Sequence, residues 1–139
     1  MPGGDDPDNR RDFPGGFLGD PSNAFTASVR TAEQQNVFAH VQSLLTLRRA
    51  HSALRSGKHW HMAWDETYYA FVRELPEEKL LVVYNNASST RELKIPVADT
   101  PLEKLQSLEP IFGKNPAQIV GSEVHVTLAP QTLVVFQAR

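Results

Sequence analysis

Between residues 31 and 50 apolar side chains recur at helical spacing. Val37, Phe38, Val41, Leu44 and Leu45 form one stripe, while Gln35, Gln42, Ser43 and Arg49 fall mostly outside it. Thr31 and Gln34 stand in capping-box spacing at its start, where each side chain satisfies the other residue's backbone N–H. Arg48 and Arg49 close it with positive charge, which suits the carboxyl end of a helix dipole. The pattern predicts one amphipathic helix of about 19 residues, roughly 29 Å long at the standard rise.

After Gly57 the period drops to two, and β-branched and aromatic residues arrive in short runs. Strands are expected at His59–Ala63, Tyr68–Glu74, Leu80–Asn85, Arg91–Ile95, Ser107–Ile111, Gln118–Val120, Glu123–Leu128 and Thr132–Gln137. The stretches LPEEK, NNASS, FGKNP, VGSE and APQ between them carry turn chemistry. This spacing points to an antiparallel sandwich or barrel rather than βαβ units. Its core is expected to draw on Leu80, Val82, Val83, Leu93, Ile95, Val124, Val126, Leu128, Leu133, Val135 and Phe136, with alternation deciding which face inward.

Residues 1–30 behave otherwise. Rich in Gly and Pro, with Phe13, Phe17, Leu18 and Phe25 at no period, they cannot build a core. A loop of this length is usually functional or laid across a larger body. It contains Asp6-Pro7-Asp8-Asn9-Arg10-Arg11, where Pro7 and the Asp8-Asn9 turn can bring Asp6 and Arg10 to one side. A carboxylate and a guanidinium held together either grip vicinal sugar hydroxyls or simply pair on a solvated turn.

Composition narrows the chemistry. A net charge of −2 over 139 residues leaves no basic footprint for nucleic acid. No apolar run is long enough to span a bilayer, and the absence of Cys removes disulfides and thiolate catalysis. Neither a membrane nor a nucleic-acid partner is expected, and no cofactor. The compartment stays open. Gly3-Gly4 and Gly15-Gly16 lack phosphate-loop spacing, and Ser88, Ser89 and Thr90 read as turn residues. Asp6 and Asp8 lack the remaining ligands of a calcium loop. His59 and His61 alternate onto one strand face, yet no motif places a third ligand, so no metal site is expected; His40, His51 and His125 read as structural or solvent-facing. Trp60, Trp64, Tyr68 and Tyr69 form either core or a sugar-stacking platform, with Trp60 or Trp64 the stacker.

The segment GGDDPDNRRDFPGGF, Gly3 to Phe17, resembles the stretch after the last barrel strand in glycoside hydrolase family 13, the α-amylase family, and particularly its cyclomaltodextrinase and neopullulanase branch. EQQNVFAHVQSLLTLRRAHSALRSG is similar to that family's final barrel helix, while YAFVRE, LLVVYNN and VHVTLAPQTLVVF resemble its C-terminal β-sandwich. The resemblance implies a mainly β chain with two parts. Residues 1–57 would be the remnant of a (β/α)8 barrel, a loop and one long amphipathic helix, and residues 58–139 a Greek-key β-sandwich. It implies that Asp6 and Arg10 contact glucose units of an α-glucan or cyclodextrin. The catalytic carboxylates would lie on earlier barrel strands, so this chain contributes no catalytic residue and is expected to be inactive alone. The stripe Val37, Phe38, Val41, Leu44 and Leu45, uncovered, is expected to favour self-association. A stand-alone carbohydrate-binding or structural sandwich is the competing reading.

Overall fold

The computed structural model describes residues 5, 6 and 13–139. It divides into two compact units, Met1–Leu45 and Thr46–Arg139.

Helix α1, Ala32–Ala50, has the predicted length of 19 residues. Its capping box is formed: the Thr31 N–H donates to Gln34 Oε1 at 2.9 Å, and the Gln34 N–H to Thr31 Oγ1 at 3.2 Å. Before it, Asp20, Asn23 and Arg30 tie down the described part of the loop, with Asn23 Oδ1 accepting the Phe25 N–H. Asp20 Oδ2 accepts the N–H groups of Gly15 and Phe17. Arg30 donates to the Ala24 and Phe25 carbonyls and to Gln35 Oε1, and its guanidinium lies 3.5 Å above the Phe38 ring.

All eight strands form: β1 Lys58–Trp64, β2 Tyr68–Leu75, β3 Glu78–Asn85, β4 Arg91–Pro96, β5 Leu108–Phe112, β6 Ala117–Val120, β7 Glu123–Leu128 and β8 Thr132–Ala138. They make a five-stranded sheet, β1-β2-β3-β8-β5, and a three-stranded sheet, β4-β7-β6, with every pairing antiparallel. Between the sheets lie Ala70, Val72, Leu81, Val83, Val134 and Phe136 from the first, and Leu93, Ile95, Val124, Val126 and Leu128 from the second. The fold is the antiparallel sandwich expected, with a helix before it.

The run Leu80–Val83 is buried throughout, because the larger sheet is covered on both faces. Leu80, Val82 and Val135 turn away from the inter-sheet core and join a second cluster with Leu133, Phe71, Leu75, Leu47 and Leu54. Its centre is Ala53, on a short helix α2, Ser52–Ser56, that the sequence patterns did not announce. Gly57 then delivers the chain into β1 against the backbone of Glu74, where a Cβ would stand 2.6 Å from the Ala53 carbonyl oxygen.

Candidate functional site

Of the two predicted substrate-binding residues, Asp6 is exposed, and Arg10 lies outside the described residues. A second group of sugar-compatible side chains is described in full. It lies on the outer face of β1 and β2, away from the inter-sheet core.

Local geometry puts it there. In β2, Tyr69, Phe71 and Arg73 share a face by the two-residue period. Their partners across the ladder are Trp64, His61 and His59, and partners directly opposite share a face. In an unbroken strand, Trp64 would point opposite to His59 and His61. An irregularity between His61 and Ala63 inserts Met62 as an extra residue, and Trp64 turns outward with the histidines. It is 66% exposed.

Trp60 takes the other face. Packed against the inter-sheet core, its indole N–H donates to Glu74 Oε2 at 2.8 Å, and the Lys58 ammonium sits 3.7 Å above its ring. Of the two tryptophans, Trp64 is the one with an open face.

The outer array is ordered by a shared hydroxyl. Tyr69 Oη lies 2.8 Å from His59 Nε2 and 2.5 Å from His61 Nδ1, so one imidazole accepts its proton and the other donates to its oxygen. Tyr69 stacks on Phe71 with centroids 5.1 Å apart, His59 stacks on Phe71 at 4.7 Å, and His61 meets Trp64 edge-on at 6.0 Å. Shielding by these rings, then the neighbouring His61, then the Arg73 guanidinium, hold the His59 imidazole below its ordinary pKa. Shielding raises that of Tyr69. His59 and His61 do share a face, as expected. Among the described residues, no group of three or more His, Asp or Glu side chains is placed to hold a metal ion.

Beside Trp64 the β1–β2 turn is built on Asp65. Its Oδ1 accepts the Thr67 N–H at 2.6 Å, the Thr67 hydroxyl at 2.7 Å and the Tyr68 N–H at 3.0 Å. Its Oδ2 accepts Arg91 Nη2 at 2.8 Å. The Thr67 hydroxyl and N–H, more than Arg91, hold the Asp65 carboxyl down at about 2. Arg91 comes from β4 in the other sheet; Nη1 donates to the Thr67 hydroxyl, and the guanidinium lies 5.7 Å above the Tyr68 ring. His61, Trp64, Asp65, Tyr68 and Tyr69 line an open concavity of about 490 Å³.

Two further histidines sit beside carboxylates, and His40 is exposed on α1. His51 Nδ1 lies 2.7 Å from Glu78 Oε1, and His125 Nε2 lies 2.8 Å from Glu123 Oε2.

Comparison with known proteins locates the chain. Residues 62–135 match the family described as Maltogenic Amylase, C-terminal domain. Among solved structures, the α-amylase from Geobacillus thermoleovorans, complexed with acarbose, aligns with 100% of this chain and 27% of its own, at TM-score 0.72 and 21% identity. An Anoxybacillus α-amylase aligns with 99% of this chain and 26% of its own, at TM-score 0.70 and 20% identity. The debranching enzyme from Nostoc punctiforme aligns with 81% and 24%, at TM-score 0.62 and 21% identity. The chain thus spans about a quarter of the length of these structures.

Proposed function

The chain belongs to the maltogenic amylase C-terminal domain family, and on that footing we propose that it is the C-terminal portion of a retaining glycoside hydrolase acting on α-1,4-glucans or cyclodextrins. The observation that carries this reading is the family match across residues 62–135, most of the sandwich. The order of parts supports it, since loop, long helix and sandwich follow one another as the resemblance to the α-amylase family requires. The cyclomaltodextrinase and neopullulanase branch is the subgroup we favour, on the wording of Gly3 to Phe17.

In this reading Asp6 and Arg10 line the substrate cleft and break no bond. Retaining hydrolysis needs a carboxylate nucleophile and a carboxylic acid about 5–5.5 Å apart on rigid elements, supplied by barrel strands. The sandwich contributes a folded support. Its two-sided burial of β3 and β8 gives it a core of its own.

Two measurements test this. Reducing-sugar release from maltoheptaose or β-cyclodextrin by the purified 139-residue chain is expected to be nil, and turnover would overturn the division of labour. Sequencing the DNA upstream of the first codon is expected to find barrel strands carrying the acids; an in-frame segment of unrelated fold would overturn the reading.

A further inference from the structure

We propose that Trp64, with the Asp65–Arg91 ion pair at its side, forms a binding site for α-linked glucose units on the outer face of β1 and β2. The site draws on none of the residues of the loop that carries Asp6 and Arg10. Only the identity of the sugar rests on the reading given under Proposed function; the case for a pyranose rests on geometry alone.

Three observations converge. Met62, as an extra residue in β1, turns a large indole out of the core to 66% exposure, and an aromatic ring presents a flat apolar surface well suited to the C–H face of a pyranose. The wall behind it is held in advance. The Tyr69 hydroxyl is fixed between His59 and His61 and its ring stacks on Phe71, so little ordering remains when a ligand arrives. The concavity of about 490 Å³ is bounded by Asp65 and Tyr68 on the side of the turn.

The polar edge selects the ligand class. Arg91 carries five N–H donors, and Asp65 and Thr67 engage one on each terminal nitrogen. Asp65 Oδ1 accepts three bonds, whereas Oδ2 accepts from Arg91. A carboxylate and a guanidinium side by side offer an acceptor and a donor at the spacing of neighbouring hydroxyls. Because the pair is neutral overall, an anion or a cation meets an opposing charge as well as an attracting one. A neutral polyol with one apolar face satisfies both the indole and the pair. The fold brings an Asp and an Arg together at Asp65 and Arg91, which are 26 positions apart, beside an open ring.

The test is a titration of the 139-residue chain with maltoheptaose and, in parallel, cellohexaose, read by tryptophan emission and calorimetry. Trp60→Phe leaves Trp64 as the sole tryptophan and is expected to keep a saturable response to maltoheptaose. Trp64→Ala is expected to weaken calorimetric binding about tenfold or more, as for truncation of a central aromatic anchor. Arg91→Gln should weaken it several-fold, with circular dichroism confirming that both variants retain the sandwich. Absence of saturable binding, or a folded Trp64→Ala chain that binds like the parent, overturns the site. Saturation by cellohexaose but not maltoheptaose keeps a pyranose site and overturns the α-glucan assignment. Neither result depends on whether the chain hydrolyses anything, so this site and the proposed function fail separately.

Discussion

His51 and Glu78, 27 positions apart, meet at 2.7 Å between Nδ1 and Oε1, and the other oxygen of Glu78 accepts the Ala53 N–H at 2.7 Å. Glu78 is thereby the N-terminal cap of α2, supplied from the first residue of β3. His51 precedes the helix and offers no capping bond of its own. Both side chains are largely buried, at 19% and 14% exposure. Glu78→Ala leaves the helix donor and the imidazole without this partner. The cost is expected to be about 1–3 kcal/mol, read as a lower urea midpoint at unchanged slope, with Glu78→Gln recovering part of it. An Ala variant as stable as the parent would remove Glu78 from this role.

Asn85 is the fully buried polar residue at the end of β3. Its Nδ2 faces the carbonyls of Ser89, Leu128 and Ala129, and its Oδ1 accepts the Ala87 N–H. Asn85→Asp keeps the shape and turns a donor into an acceptor aimed at three carbonyl oxygens. A loss of about 3 kcal/mol or more is expected, since desolvation and lost bonds act together. Asn85→Ala should cost less than Asp. The reverse order in thermal or urea unfolding would contradict the assignment of donors.

Gly57 has ordinary dihedrals, φ −65° and ψ 151°, so its requirement is space. A methyl group there would stand 2.6 Å from the Ala53 oxygen and 3.0 Å from Glu74 N and O, all of them backbone atoms. Gly57→Ala must therefore separate α2 from β2. Overpacking of this kind costs about 1–3 kcal/mol, and hydrogen exchange should rise first at the Gly57 N–H, which donates to Ala53. Unchanged protection there would mean that the junction yields freely.

These features show what the sequence carries locally and what it does not. The 19-residue helix was legible because its period and its capping box are short-range. The eight strands were legible because turn chemistry separates them. Helix α2 was not: five residues have too little intrinsic propensity, and its cap arrives from Glu78. The outward turn of Trp64 was hidden for the same reason, because the extra residue at Met62 exists only relative to the register of β2. The platform residues were recognisable by type, but Trp60 and Trp64 differ in role only once that register is fixed.

The His59–Tyr69–His61 chain gives the outer face a pH response. His61 on β1, with Tyr69 and Arg73 on β2, faces His59, and protonating His59 adds a partly shielded positive charge beside the Arg73 guanidinium. A His with a lowered folded pKa binds fewer protons folded than unfolded. Stability therefore falls as pH drops below the ordinary 6.5 towards the lowered value, and is unaffected by this group above that window. NMR titration of the His59 ring should give a midpoint below 6.5, moved upward by Arg73→Gln. A midpoint at or above 6.5 in the parent chain would refute this.

The stripe on α1 predicts an oligomeric state. Val37, Phe38, Val41 and Leu45 are 65%, 42%, 47% and 61% exposed, and α1 has no buried residue. Arg30 already covers one face of Phe38, so Val37, Val41 and Leu45 are the open part of the stripe. A second copy of the chain offers the same apolar stripe, and burying each aliphatic side chain is worth about 1.5–3 kcal/mol. Sedimentation equilibrium should therefore show a mass rising with concentration from 15.5 kDa towards twice that value. Val41→Glu with Leu45→Glu places good helix formers at both positions and puts like charges into the joint, so the dissociation constant should rise about tenfold or more. A parent chain that stays monomeric at millimolar concentration, or a double variant that associates as well as the parent, would place the contact elsewhere or remove it.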